Sequence, residues 1–118
     1  MSKKVIRFEG PFAVWSYTVG HARLLLRRTK SRTMPTRLDV LFKNVSGVCL
    51  PMNMPDLLIE EASPDEAAQL LAGAGVVQTR DRKLFRISGS GWSGYIVAGV
   101  VVWNEDDGEY SDPSPLLD

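Results

Sequence analysis

The most regular pattern in the chain is an apolar run at residues 94–104, GYIVAGVVVWN. Valine and isoleucine dominate this run, and β-branched side chains favour strands over helices. Both alternating faces of the run are apolar, so a strand here needs cover on two sides. We therefore predict a central strand around which the rest of the chain forms a curled sheet.

A hairpin is predicted at residues 12–30, because two apolar segments flank the dipeptide Gly-His at residues 20–21. Glycine at the first central position suits a two-residue type II′ turn. This register places Trp15 and Tyr17 on the core face, opposite Leu26 and Leu24, and leaves the arginines on the solvent face. Further strands are predicted at residues 5–8, 36–43, 48–50, 56–62, 76–79 and 84–88.

One helix is predicted between the strands. Ser63 and Glu66 have the spacing of a capping box, and Pro64 suits the first helical position. Apolar residues then recur with helical period, and Gly73 or Gly75 ends the helix.

The pattern thus predicts a mainly β fold, α+β by count. We expect an antiparallel sheet of six to eight strands, curled or closed into a partial barrel, with one helix at about 64–73. Residues 1–118 form a single domain in this prediction, and residues 112–118 form a frayed tail. The predicted core contains Trp15, Tyr17, Leu24, Leu26, Leu38, Val40, Phe42, Ile59, Leu70, Leu71, Phe85, Ile87, Val97, Val100 and Val102.

Charge is balanced overall but unevenly distributed. Residues 1–43 carry ten of the 14 Lys and Arg and two acids, a net charge of +8, and residues 44–118 carry −8. The two halves neutralise each other if they mix in the fold and form a dipole if they segregate. With one cysteine, no signal-like start and no run long enough to span a bilayer, we expect a soluble cytoplasmic protein.

Motifs that carry catalytic or metal chemistry are weak in this sequence. Gly89, Gly91 and Gly94 spell G-x-G-x-x-G, but a predicted strand follows them where a dinucleotide site requires a helix, so a hairpin loop is favoured. His21 is the single histidine and lies at a predicted turn, and Cys49 is expected to be a buried small residue. The acidic residues at 105–112 lack the order of an EF-hand loop.

Two candidate sites remain. A basic surface could bind a partner, a phosphate backbone or another anion, although strand-edge bases that discourage aggregation explain the same residues. Its predicted members are Arg23, Arg27, Arg28, Arg32, Arg37, Arg80 and Arg82. A ligand pocket inside the curled sheet could be formed by Trp92, Tyr95, Met52 and Met54.

The hypothesis that follows is a small non-catalytic protein-interaction or regulatory module, acting on a protein partner or by self-association. The alternatives are an anion or nucleic-acid binder through the basic hairpin, and a carrier of a small or lipid-like ligand. We expect no catalytic residues, no metal and no cofactor, because the usual constellations of histidine, cysteine and paired carboxylates are missing.

Overall fold

A computed structural model describes residues 5–75 and 81–117 of the chain. These residues form ten β-strands, one α-helix and one short 3₁₀ helix, which spans Pro115–Leu117. The elements in chain order are β1 (Val5–Phe8), β2 (Phe12–Thr18), β3 (Arg23–Arg28), β4 (Arg37–Lys43), β5 (Gly47–Cys49), β6 (Asn53–Met54), β7 (Leu57–Glu61), α1 (Pro64–Leu71), β8 (Lys83–Gly89), β9 (Trp92–Ala98) and β10 (Val100–Asp106).

The strands form two five-stranded antiparallel sheets. Sheet 1 has the order β1-β7-β8-β9-β5, and sheet 2 has the order β10-β4-β3-β2-β6. The predicted mainly β, antiparallel fold with a helix is confirmed. The strand number exceeds the predicted six to eight, partly because β5 and β6 are separate strands of three and two residues.

The predicted central strand is in fact two strands that join the sheets. Gly99 separates β9, in sheet 1, from β10, in sheet 2. β4 and β5 follow the same bend, since β4 pairs with β10 and β5 pairs with β9. Hydrogen bonds from Ser46 N to Val97 O (2.8 Å) and from Gly99 N to Lys43 O (2.9 Å) continue the ladder around this corner. The two sheets are therefore curled into each other without closing.

The inner faces of the two sheets share one hydrophobic core. Phe42 of sheet 2 meets Phe85 of sheet 1 edge to face, with ring centroids 5.6 Å apart, a favourable geometry for aromatic pairs. Most of the predicted core is buried: Leu24, Leu26, Leu38, Val40, Phe42, Ile59, Leu71, Phe85, Ile87 and Val97.

The helix begins as predicted. Ser63 Oγ accepts a hydrogen bond from Glu66 N (3.3 Å), and Ser63 N donates to Glu66 Oε1 (3.4 Å), which completes the capping box. α1 ends at Leu71, two residues before the predicted position. It packs through Ala67 and Leu71 on the outer face of sheet 1, against Leu84.

Three predicted core residues are exposed. Tyr17 is 50 % exposed, Leu70 is 41 % exposed and Val100 is 44 % exposed. Tyr17 lies near the tip of the first hairpin, and Leu70 precedes Leu71, the residue that faces the sheet. Val100 begins β10, an edge strand with a neighbour on one side, so the apolar run is not covered equally on both faces.

The first hairpin contains a β-bulge at Trp15. Tyr17 pairs with Leu24 as predicted, but Val14 takes the place opposite Leu26 that was predicted for Trp15. Trp15 therefore lies on the same face as Arg27, whose guanidinium carbon is 5.0 Å from the centre of the indole ring. The predicted separation of the aromatic and basic faces was wrong at this position, because the bulge at Trp15 shifts the residues that precede it by one relative to β3.

The turn of this hairpin is also different from the prediction. His21 and Ala22 have positive φ angles of 66° and 47°, and Ala22 N donates to Val19 O (3.1 Å). A type II′ turn would need the positive φ at Gly20. The hydrogen bond still closes a turn on Gly20 and His21, so the position of the turn is as predicted and its type is not.

Two predictions concern chain segments rather than strands. Residues 112–118 were expected to fray, whereas the structure places the part to Leu117 against sheet 2, with Ser114 buried. The strand predicted at 76–79 lies outside the described residues.

Candidate functional site

The predicted basic surface is largely occupied by the protein itself. The side chains of Arg27, Arg28 and Arg37 are buried, with residue exposures of 2 %, 7 % and 2 %. The C-terminal segment crosses the outer face of sheet 2 and covers Arg27 and Arg37, whereas Arg28 contacts Glu9 and Glu105 instead. They do not form the exposed anion-binding patch that the sequence suggested.

A buried ion pair lies at the centre of this face. Arg27 donates from Nε to Asp39 Oδ1 (2.7 Å) and from Nη2 to Asp39 Oδ2 (3.1 Å), across adjacent strands β3 and β4. The remaining Nη1 donates to Tyr110 O (3.1 Å). Trp15 packs on the Arg27 guanidinium, and its ring meets the Tyr110 ring edge to face at 4.9 Å. This arrangement holds a C-terminal residue on sheet 2 through both charge and aromatic contact.

Arg37, the first residue of β4, makes a second set of contacts that holds the C-terminal segment. It donates to both carboxylate oxygens of Asp106, at 2.9 and 2.8 Å, and to the carbonyl oxygens of Asp112 (2.7 Å) and Glu109 (3.2 Å). The hydrogen bonds from Arg37 lower the pKa of Asp106, and the same contact raises the pKa of Arg37. One side chain thus fixes several points of the C-terminal segment.

We refer to residues 107–117 as the strap. Two more basic side chains hold its ends. Lys30 Nζ donates to Asp107 O (2.7 Å) and Glu109 Oε1 (2.8 Å), and Arg23 Nη1 donates to Leu117 O (2.9 Å). Basic residues of the first part of the chain are therefore paired with the acidic C-terminal part, so the two oppositely charged halves mix in the fold.

The other predicted basic residues are dispersed. Arg32 is exposed in the loop between β3 and β4. Arg82 donates to Asn44 O (3.1 Å) and Asn44 Oδ1 (2.9 Å), so it supports the corner between the sheets. Arg80 lies outside the described residues.

An open edge lies between two edge strands, β1 of sheet 1 and β10 of sheet 2. Phe8 of β1 bridges them, with its ring 5.8 Å from Trp103 and 6.0 Å from Phe12. Two clefts of about 440 and 480 Å³ flank residues 7–9. We call this surface, with its clefts and the exposed faces of β1 and β10, the open edge.

Polar side chains line the open edge beside the aromatic rings. Arg28 lies in the wall of the second cleft, where Nη1 donates to Glu9 O (2.8 Å) and Nη2 is 3.6 Å from Glu105 Oε2. In the first cleft, Asp56 accepts from Ser90 N (2.9 Å) and Ser90 Oγ (3.0 Å). The open edge therefore presents apolar rings together with oriented polar groups.

Large apolar side chains are exposed at the open edge. Trp103 is 43 % exposed, Val100 is 44 % exposed and Val5 of the facing strand is 51 % exposed. Sequence analysis missed Trp103 as a site residue, because the unbroken apolar run gave no sign that its second half forms a sheet edge. Exposed aromatic side chains beside polar groups are typical of protein-binding surfaces.

The predicted ligand pocket is not assembled from its four residues. Met54 is buried in the core between the sheets, and Met52 is 64 % exposed. Tyr95 packs against the cluster under α1 on the outer face of sheet 1, whereas Trp92 packs against the core. Trp92 and Tyr95 therefore lie on opposite sides of sheet 1, and the four residues do not line one cavity.

The single histidine and the single cysteine of the chain are both at the surface. His21 is exposed at the hairpin tip. Cys49 is exposed as well, so its predicted burial was wrong; β5 is an edge strand of sheet 1, which leaves this side chain uncovered.

The described residues contain no group of three or more His, Cys, Asp or Glu that could hold a metal ion. In the same part of the chain, no helix combines the length and apolar character that crossing a membrane requires. Comparison of the chain with models of protein families, with curated proteins and with solved structures finds no match.

Proposed function

We propose that this protein is a small non-catalytic interaction module, and that a partner protein docks on the open edge. The observation that carries the proposal is Trp103, a tryptophan that stays 43 % exposed on an edge strand although it ends an apolar run in sequence. Tryptophan is among the residues that contribute most to binding energy at protein interfaces. We take Trp103 as the anchor of this interface.

The backbone of the open edge supports the same proposal. Among the described strands, β10 pairs with β4 alone and β1 pairs with β7 alone. An edge strand presents unpaired N–H and C=O groups to which a strand of another chain can add. The occupant that fits is an extended segment of a partner protein, which would pair with an edge strand and place an apolar side chain beside Trp103.

The alternatives have less support from the contacts. Binding of nucleic acid through the basic hairpin would need arginines that contact Asp39, Asp106 and the strap. A small ligand would bind in the clefts beside Phe8. The volumes of these clefts fall in the range of ligand sites, but both clefts are open to solvent. The exposed thiol of Cys49 is compatible with the reducing cytoplasm, where we place the module.

The test is capture of partners from a lysate of the source cell by tagged protein, followed by titration of the purified partner. We expect the wild type and a Val19→Ala variant to bind equally, and a Trp103→Ala variant to bind at least tenfold more weakly. Val19 is the matched control, because it is an apolar residue that is 83 % exposed and lies at the tip of the hairpin between β2 and β3, outside the open edge. Circular dichroism and thermal unfolding check that both variants are folded.

Three outcomes would contradict the proposal. Equal binding by all three proteins would place the interface elsewhere. Capture that disappears with nuclease would favour the nucleic-acid alternative, and its steep decrease with salt would support that conclusion. A small molecule that raises the melting temperature of the wild type and not of Trp103→Ala would favour a ligand carrier.

A further inference from the structure

The strap resembles a bound peptide more than an element of the fold. In the described residues it adds no strand to sheet 2 and contains a single turn of 3₁₀ helix. Arg23, Arg27, Lys30 and Arg37 hold it mainly through main-chain carbonyl oxygens. Residues 109–112 form a turn, closed by the hydrogen bond from Asp112 N to Glu109 O (3.2 Å), which brings two of these oxygens to Arg37. A peptide that folds into the same turn presents the same oxygens, so these contacts do not depend on the side chains of the strap.

Two features add preference for a particular chemistry. The carboxylate of Glu109 accepts a hydrogen bond from Lys30, so an acidic side chain is favoured at this end of the strap. The ring of Tyr110 lies on Trp15. The outer face of sheet 2 thus offers four cationic donors and an aromatic platform to an acidic segment that carries an aromatic residue.

We propose that the outer face of sheet 2 is a second docking surface, for an acidic segment of a partner protein that folds into the same turn as the strap, and that the strap occupies it until that segment displaces it. This inference does not depend on the function proposed for the open edge. The two surfaces lie on different parts of sheet 2, and each has its own test.

Release of the strap is physically reasonable because of what lies beneath it. The covered side chains include the Arg27–Asp39 pair and Arg37, and charged groups regain hydration when they are uncovered. Tyr110 is already 65 % exposed, so little of its apolar surface is lost to water on release. The tethered strap acts at a high effective concentration, so a free peptide competes weakly until the strap is loosened.

Gly108 provides a way to loosen the strap without changing the surface beneath it. A Cβ atom at this position would collide with the Arg37 guanidinium. Gly108→Val should therefore push the start of the strap away from Arg37 and leave Arg23, Arg27 and Trp15 unchanged. The matched control is Gly20→Val, because a Cβ at Gly20 has no neighbour within 4 Å.

The probe is a fluorescent peptide with the sequence of residues 107–117, titrated into the full-length proteins and followed by anisotropy. We expect Gly108→Val to bind it about tenfold or more tightly than the wild type and Gly20→Val do. A scrambled peptide of the same composition should bind more weakly than the native sequence. Adding Trp15→Ala to Gly108→Val should reduce peptide binding, since the aromatic platform is removed.

Hydrogen exchange of residues 109–117 shows whether Gly108→Val releases the strap. If Gly108→Val releases the strap but binds the peptide no more tightly than Gly20→Val does, the proposal is wrong. If Gly108→Val does not release the strap, Ser114→Glu is used instead. Ser114 is 2 % exposed, so its site cannot hold a longer charged side chain. A strap that stays protected in both variants is not displaceable, and a dimer formed by Gly108→Val alone would identify a second copy as the occupant; either result overturns the proposal.

Discussion

Arg27 and Asp39 are charged residues that are buried inside this protein, and each compensates the charge of the other. Both side chains are 1 % exposed, and both guanidinium contacts to the carboxylate are within hydrogen-bond distance. Burial of two charges is costly, and the two-point geometry offsets that cost. Loss of one partner leaves the other charge buried without compensation.

We therefore expect Asp39→Ala to lower the free energy of unfolding by about 3–5 kcal/mol, measured by urea denaturation. The matched control is Glu61→Ala, which removes the more exposed Lys83–Glu61 contact between the end of β7 and the start of β8. An exposed pair contributes about 1 kcal/mol or less. If the two variants lose equal free energy of unfolding, the buried pair contributes no more to stability than the exposed pair.

The Asp106–Arg37 contact predicts a dependence on pH. Asp106 has a pKa that Arg37 lowers below the ordinary value of about 3.9. Its stabilising effect is therefore fully present above the ordinary value and is lost as the pH falls through the lowered pKa.

Asp106→Asn should be less stable than the wild type by about 1–2 kcal/mol at pH 7. This difference should decrease once the pH is below about 4, because the carboxylate of the unfolded chain then takes up a proton while the folded one stays ionised until the pH falls through its lowered pKa. Urea denaturation of both proteins between neutral pH and pH 2 measures it. A difference that stays constant over this range would exclude the carboxylate charge as the cause.

At the scale of elements, α1 follows from local chemistry and the first hairpin does not. The capping box at Ser63 and Glu66 is a contact between residues three apart, and the sequence predicted it. The bulge at Trp15 depends instead on the contacts of that side chain with Arg27 and Tyr110, one of which is 95 positions away in the chain. Periodicity within one strand cannot reveal such a partner.

The cap gives a direct prediction for the helix. Ser63→Ala should lower the free energy of unfolding by about 1 kcal/mol, because the N–H of Glu66 loses its acceptor. Ser63→Asp should retain most of the stability, since a carboxylate accepts the same hydrogen bond. Thermal unfolding of the three proteins tests this. An unchanged Ser63→Ala would mean that packing of α1 on sheet 1 alone determines its stability.

At the scale of the whole molecule, basic side chains of the first part of the chain hold the strap on sheet 2, mainly through its carbonyl oxygens and also through Glu109. Lys30 and Glu109 are paired at the surface, with side-chain exposures of 28 % and 76 %, whereas the Arg27 pair is buried. Salt screens exposed charges much more than buried ones. The strap should thus loosen in salt before the sheets do.

Hydrogen exchange at about 0.05 M and 1 M salt tests this difference. We expect amides of the strap, such as Leu117, which donates to Ser114 O, to exchange several-fold faster at high salt. Amides in the ladder of β4 and β10 should change little. Equal acceleration in the strap and the ladder would indicate general destabilisation of the fold.

The sequence by itself determined the local and repetitive features of this protein. Apolar alternation specified a mainly β fold, and the Ser63 capping box specified the start of α1, because both depend on residues close in sequence. The tertiary structure decided which strand edges stay open, which arginines are buried and where the C-terminal segment lies. Those outcomes depend on partners far apart in the chain: the bend at Gly99 makes β10 an edge, and that edge exposes Trp103. A basic residue looks the same in sequence whether it faces solvent or an acidic strap, so the fold alone distinguishes the two.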